Sequence, residues 1–468
     1  MKREEIIKRA FELVIEFLSG YDNPDQKIVE YFSPENLKRK LQLTLPEQGS
    51  ADKMFTVLEQ YLRHCVHTGH KQYYNQLWGG FSLPGVIGDL FTSLTNSSMS
   101  NYEIAPVATL MEVELMRELS ALIGYPAGEG IFVTGGSNAN MVALMAARNK
   151  YHPQIKSGGM NAALDRDLVL FISDQAHYSF SKAANILGIG ESNVIPVKSD
   201  SEGRMLPQAL ESEIEKSLQK GKQPFFIGAT CGTTIRAAFD PVEDLAAIAK
   251  KYKLWLHIDA AYGGSFLISK KHKHLLVGSE LSDSFTWDLH KMLGAPLTAS
   301  LIFMKQPGTL YSTSSSGGTE YMFHGTDTAD HDLGSKSLQC ARHIDVLKVW
   351  TMWQYYGWEG FERRVDHLMD LAAYAEEFIA RHPRLELLTT RPSVNLCFRM
   401  KPAAPHANID NFNLKLRDKL YKNGLAMINY TNLDGKLIAL RLMLVNADLD
   451  FDDLDCFFDK LLKTAEII

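Results

Sequence analysis

Lys291 follows His290 at the end of the run Asp283-Ser-Phe-Thr-Trp-Asp-Leu-His-Lys291. A lysine amine in a shielded site can attack an aldehyde or ketone, because shielding favours its neutral, nucleophilic form. Upstream, Leu254-Trp-Leu-His-Ile-Asp259-Ala-Ala-Tyr262 is an apolar, strand-like run that ends in a carboxylate. A strand of this kind delivers its last residue to the edge of a sheet, where ligands collect. Amine and carboxylate together fit pyridoxal phosphate, with Lys291 in Schiff-base linkage and Asp259 facing the pyridine nitrogen.

Other groups with chemistry fall in comparable places. Residues 168–172, 225–230, 254–258 and 300–304 are short apolar runs, as expected for buried strands of a mainly parallel sheet. The first three are followed by Ser173-Asp-Gln-Ala-His177, Cys231-Gly-Thr-Thr234 and Asp259-Ala-Ala261. Gly135-Gly136-Ser137 precedes an alanine-rich helix, whose exposed amides and positive dipole end suit a phosphate. A Gly-Gly-Ser alone equally makes a plain turn, a lone Asp259 reads as a helix cap, and a lone His177 as a core histidine. Only beside Lys291 do they form a set.

The scaffold follows from periodicity. Ile6, Ile7, Ala10, Leu13, Val14, Phe17 and Leu18 recur at helical spacing, a wide stripe that needs cover from its own domain or a second subunit. A second helix, from about residue 105 to 124, directs Ala108, Met111, Leu115, Leu119 and Leu122 inward, with Glu112, Glu114, Arg117 and Glu118 outside. Asp240-Pro241-Val-Glu243 predicts an N-cap, a first-turn proline and a capping glutamate for a crossover helix. The expected organisation is α/β: an N-terminal helical segment over 1–72, a large domain over 73–345 and a smaller α+β domain over 346–468.

Length and composition narrow the class. A chain of 468 residues holds more than one core. Its Lys+Arg total of 49 against Asp+Glu of 55 offers no broad basic field for nucleic acid or anionic lipid. No run approaches the ~20 apolar residues of a membrane span. Five scattered cysteines argue for a reducing compartment, the cytoplasm by default. His64, His67 and His70 lack an acidic or fourth ligand nearby, so no metal is expected.

Several motifs occur in one order: Tyr74-Asn-Gln-Leu77, Tyr102-Glu-Ile-Ala-Pro106, Gly135-Gly-Ser137, His177-Tyr-Ser, Ala229-Thr-Cys-Gly-Thr-Thr234, His257-Ile-Asp-Ala-Ala261, His290-Lys291 and Leu338-Gln-Cys-Ala-Arg342. From about Gly69 to Leu444 the chain resembles the group II pyridoxal phosphate-dependent amino acid decarboxylases. The resemblance is strongest to the branch acting on glutamate, aspartate and cysteine sulfinate. It implies an aspartate-aminotransferase-like fold (fold type I) and a homodimer with shared active sites, the N-terminal helices of one subunit lying on the other. It also implies that Lys291 holds the cofactor aldehyde, Asp259 pairs with the pyridinium, His177 stacks on the ring and Ala261 packs on its other face. Gly136, Ser137, Thr234 and His290 would surround the phosphate or ring edge. The implied reaction releases the α-carboxylate as CO2 and returns a proton to Cα.

Two departures and a substrate question accompany the resemblance. The proton-donating loop tyrosine common in the family is matched here by Asp327, which leaves Tyr321 or His324 as substitutes. Asp288 stands where the eukaryotic acidic-substrate enzymes usually carry asparagine, and it should point away from a phosphate or accept a hydrogen bond from a neighbour. Gln76 and Arg441 match side-chain or carboxylate contacts, and the bulk of Trp78 should shorten the pocket, favouring aspartate or cysteine sulfinate over glutamate. An aromatic amino acid decarboxylase is the alternative within the class, and an inactive binding or assembly protein the alternative outside it.

Overall fold

The computed structural model describes residues 1–21, 23, 25–41, 43–162, 167–319, 321–323, 328–403 and 408–468. Contacts divide the chain into two compact units. One comprises Met1–Phe81, Asp370–Thr389 and Val394–Ile468; the other comprises Ser82–Met369 with Thr390–Ser393.

The first unit opens with helices α1 (Arg3–Ser19), α2 (Pro34–Leu41) and α3 (Ala51–His64). Arg9 of α1 lies 4.2 Å over the Phe55 ring of α3 and pairs with Asp52 at 3.2 Å and Glu59 at 3.1 Å. No residue of α1 is buried by these contacts, and Ile7, Phe11, Val14 and Ile15 stay exposed. The three histidines after this point have protein neighbours. His64 lies 3.5 Å from Glu30, the His67 ring packs on Phe17, and His70 Nδ1 accepts from the Gln72 amide. A short strand, β1 (Tyr73–Tyr74), follows.

The second unit begins with α4 (Leu83–Thr95) and α5 (Pro106–Ile123). Its sheet consists of β2 (Glu129–Val133), β3 (Leu168–Ser173), β4 (Val194–Val197), β5 (Gln223–Thr230), β6 (Trp255–Asp259), β7 (Ser284–Asp288) and β8 (Ser300–Met304). The spatial order is β2-β8-β7-β6-β5-β3-β4. All neighbouring pairs from β7 to β4 are parallel, and β8 runs antiparallel to both β7 and β2. Every residue of β3, β6, β7 and β8 is buried, and β3, β6 and β8 accordingly carry largely apolar stretches instead of a solvent-facing polar row. Helix α6 (Gly136–Tyr151) packs on this sheet through Ala139, Ala143, Ala146 and Ala147, small residues that allow a close approach.

Two residues sit differently from their expected positions. Glu112 is not on the outside of α5: it is 1% exposed and pairs with Arg342 at 2.9 Å, while accepting from the Phe132 amide at 3.2 Å. Burial pushes its carboxyl upward and Arg342 opposes that shift. Removing one member of such a pair strands the other in a dry interior, at a cost of ~3–5 kcal/mol. Asp240 does not cap the crossover helix, which spans Val242–Tyr252 and has Pro241 at its N-cap position. Its carboxylate instead accepts from the amides of Met205 and Thr230, both at 2.7 Å, and so ties β5 to the residues before helix Pro207–Gln219.

The first unit closes with β9 (Leu385–Leu387), β10 (Asn395–Met400), β11 (Met427–Leu433) and β12 (Leu437–Met443), in the order β1-β11-β12-β10-β9. Because β1 pairs in parallel with Met427 and Ile428 of β11, the start of the chain shares a sheet with its end. The compact units therefore differ from the expected division at 72/73 and 345/346. Residues up to Phe81 join the C-terminal strands, and helix Asp345–Arg381 stays with the larger unit as far as Met369. No helix among the described residues is long and apolar enough to cross a membrane.

Candidate active site

Chemistry gathers at the carboxyl ends of the parallel strands in the larger unit. Asp259 ends β6, Asp288 ends β7, His177 follows β3, and Thr234 lies in the turn after β5. These ends are laced together through the backbone. Cys231 N donates to Asp259 O at 2.9 Å, Ala260 N to Thr286 O at 3.1 Å, and Asp288 N to Ala261 O at 3.0 Å. Ala261 and Asp259 are thus held between two neighbouring strand ends.

Asp259 is 6% exposed, and among the described residues no lysine or arginine pairs with it. Its oxygens are held by neutral donors: the Ala261 amide at 3.1 Å on Oδ1, and Asn140 Nδ2 at 2.7 Å on Oδ2. Asn140 in turn is fixed by a directional chain. Its Oδ1 can only accept, so His257 Nε2, 3.0 Å away, carries the proton, and Thr286 Oγ1 donates to the same oxygen at 2.9 Å. His257 Nδ1 then accepts from Ser284 Oγ at 2.8 Å, and Ser284 Oγ accepts from Trp255 Nε1 at 2.8 Å. Complete burial pushes the His257 imidazole down to about 3, which keeps the chain neutral. Asn140 also donates to Ser179 Oγ at 2.9 Å, and the Ser179 amide donates to His177 Nδ1 at 3.3 Å, so one side chain connects both carboxylate and histidine.

Lys291 sits on the short connection between β7 and β8. Leu289 N donates to Ala299 O at 2.8 Å, Ala295 N to Leu289 O at 3.2 Å, and Ala299 N to His290 Nδ1 at 3.1 Å. The backbone on either side of the lysine is therefore tied down, while its side chain remains 20% exposed. Its Nζ lies 3.0 Å from Asp288 Oδ2. Burial lowers the His177 imidazole, Asp259 and Asp288 act in the opposite direction, and Lys291 reinforces the lowering, which places all four groups in one electrostatic neighbourhood. Burial likewise lowers His290.

Gly136 and Ser137 form the first turn of α6, and Gly135 before them has φ +148°, a conformation that favours glycine. A Cβ on Gly136 would meet the Asp288 carboxylate at 2.7 Å. A buried carboxylate without a cation, a partly exposed lysine amine and a glycine-lined helix N-terminus fit a cofactor with a protonated ring nitrogen, an aldehyde and a phosphate.

The remaining expected residues lie elsewhere. Tyr321 is 74% exposed, in a turn whose Met322 carbonyl accepts from Asn101 Nδ2 at 3.2 Å. His324 and Asp327 lie outside the described residues. Gln76, Trp78 and Arg441 belong to the first unit. There Arg441, 7% exposed, stands in register with Asn429, and Asn429 Nδ2 donates to Asn75 O at 3.2 Å, which brings the Gln76 loop to the strand that neighbours Arg441. The Trp78 and Tyr73 rings are 5.9 Å apart.

A sheet of this order with a lysine and a carboxylate at its strand ends defines a pyridoxal phosphate enzyme of fold type I. The pyridoxal-dependent decarboxylase conserved domain matches residues 34–401, so the chain belongs to that family and is a carboxy-lyase using pyridoxal phosphate. It is 36% identical to the cysteine sulfinic acid decarboxylase of Homo sapiens, with 99% of this chain and 96% of that protein aligned. It is 34% identical to the glutamate decarboxylase of Drosophila melanogaster, over 99% and 93%. The crystal structure of mouse CSAD in apo form superposes with a TM-score of 0.95 at 34% identity, covering 99% of this chain and 98% of that one. The Catharanthus roseus tryptophan decarboxylase, at 24% identity and a TM-score of 0.88, shares the fold.

Asn140→Ala should weaken cofactor binding roughly ten- to a hundredfold, the range for a lost hydrogen bond to a charged group. Titration of cofactor-depleted protein, read by the cofactor's absorbance, measures it, and unchanged affinity would show that Asn140 does not position Asp259. The buried histidine gives a second expectation. His257 is depressed from 6.5 to about 3 in the folded chain, so below pH 6.5 the unfolded state binds the extra proton and stability falls with pH. At pH 5 this amounts to ~2 kcal/mol. Denaturant midpoints from pH 7.5 to 5 should show that loss, and His257→Gln, which retains a donor and an acceptor, should flatten the slope.

Proposed function

We propose that this enzyme α-decarboxylates an acidic L-amino acid, with aspartate or cysteine sulfinate preferred, releasing the corresponding amine and CO2. The observation that carries the reading is the 34–36% identity, over nearly the whole chain, to cysteine sulfinic acid and glutamate decarboxylases. Pyridoxal phosphate supplies the electron sink that lets CO2 leave Cα. Lys291 would hold the cofactor aldehyde, and Asp259, oriented by Asn140 and the Ala261 amide, would hold a proton at the ring nitrogen. His177 would stack on one face of the ring and Ala261 would pack on the other. Gly136 and Ser137 seat the phosphate at the amino end of α6, with Thr234 and His290 at its margin or the ring edge. A proton returns to Cα from Tyr321 or His324.

Arg441 and Gln76 take the substrate's acidic side chain. The guanidinium fork of Arg441 matches a carboxylate or sulfinate in bidentate geometry. The bulk of Trp78 favours the shorter acids. One methylene is worth ~10–200-fold in discrimination. Purified holoenzyme should therefore show kcat/KM for aspartate or cysteine sulfinate at least about tenfold above that for glutamate, measured as CO2 and amine released. A clear preference for glutamate rejects the Trp78 argument, and no CO2 from any of the three rejects the reading.

The assembly we infer is a homodimer, with the unburied stripe of α1 covered by a second subunit. Five free cysteines suit a cytoplasmic setting. Deleting residues 1–20 should raise the dimer dissociation constant, as read by analytical ultracentrifugation over a dilution series. A truncated chain that dimerises as tightly as the full one removes α1 from the interface.

A further inference from the structure

Asp288 is 2% exposed and is shared between two features of the site. Its Oδ2 lies 3.0 Å from Lys291 Nζ and 3.8 Å from His290 Nε2. Its Oδ1 is buried with no hydrogen-bond partner among the described residues. Both oxygens stand against the first residue of α6: a Cβ on Gly136 would lie 2.7 Å from Oδ2 and 3.2 Å from Oδ1. The carboxylate thus occupies the positive end of a 16-residue helix without a full set of donors. Lys291 and His290 face it from its own segment, and His177 and Asp259 share its field from neighbouring strand ends. A more distant cation, Lys348, acts on His290.

We propose that Asp288 competes with the cofactor phosphate for the amino end of α6, so that this enzyme holds pyridoxal phosphate less tightly than it would with a neutral side chain at the same position. The proposal rests on the reading that Gly136 and Ser137 seat the phosphate. Two anions at one helix terminus repel in a site where burial weakens solvent screening. Pyridoxal offers Lys291 the same aldehyde without the phosphate's charge, so the penalty should fall on pyridoxal phosphate and spare pyridoxal. The fraction of enzyme loaded would then follow the free cofactor concentration, making occupancy a point of control.

The phosphate dependence gives the test. Cofactor-depleted wild-type protein and Asp288→Asn are each titrated with pyridoxal phosphate and with pyridoxal, binding being read by ligand absorbance. The variant should bind pyridoxal phosphate about tenfold more tightly, equivalent to ~1.4 kcal/mol, with pyridoxal affinity moved by less than about twofold. Asp288→Ser, smaller and also neutral, gives the same comparison independently of how the amide packs. Unchanged or weakened pyridoxal phosphate binding in both variants overturns the proposal. Equal tightening for both ligands also overturns it, because Asp288 would then act through Lys291. A wild-type chain that binds neither compound sinks the underlying cofactor assignment, an outcome distinct from normal wild-type binding with indifferent variants.

Discussion

Holding the buried Asp259 carboxylate with neutral donors is the constraint on which the larger unit is built. An isolated buried carboxylate costs several kcal/mol, and a lysine or arginine placed beside it would remove the need for a cationic ligand. Neutral donors resolve the conflict. Asn140 reaches Asp259 because α6 lies close to the sheet, and α6 lies close because its packing face is largely alanine. Asn140 itself is oriented by His257 and Thr286, from β6 and β7. Trp255 and Ser284 complete the chain, so a ring on β6 indirectly sets the orientation of a carboxylate at the end of the same strand. The polarity of the network is set from its ends, since the Asp259 and Asn140 oxygens can only accept and Trp255 Nε1 can only donate.

The topology explains why amine and carboxylate meet. Parallel β6 and β7 end side by side, and their last residues are Asp259 and Asp288. The reversal into antiparallel β8 then keeps Lys291 at the same edge. A crossover helix after β7 would have carried the chain away from that edge, because parallel connections need a dozen or more residues. The single antiparallel strand, second from the edge of the sheet, thus serves the site.

Much of this was legible in the residues. The apolar runs at 168–172, 225–230, 254–258 and 300–304 correspond to β3, β5, β6 and β8, because strands buried on both faces read as continuous apolar segments. β7 did not announce itself that way. Ser284, Thr286 and Asp288 alternate with Phe285 and Trp287, a pattern that ordinarily marks a face in water. Here Ser284 and Thr286 meet His257 and Asn140, and Asp288 meets Lys291. Asn140 was missed for a related reason: inside an alanine-rich helix nothing local distinguishes it from a solvated asparagine. Glu112 was misplaced because its partner Arg342 lies 230 residues away, beyond the reach of helical periodicity. The pairing of β1 with β11 is equally nonlocal, and two tyrosines are too short a run to signal a strand.

The fastening of the β7–β8 connection has a mechanical consequence. With hydrogen bonds closing the loop on both sides of Lys291, its α-carbon behaves as a fixed post within the sheet. Any travel of the amine has to come from rotation about the four-carbon stem. The range of the amine is then limited by side-chain length, a few ångströms of arc about a stationary pivot. A shorter amine-bearing side chain at this position would have its chemistry intact and its radius wrong.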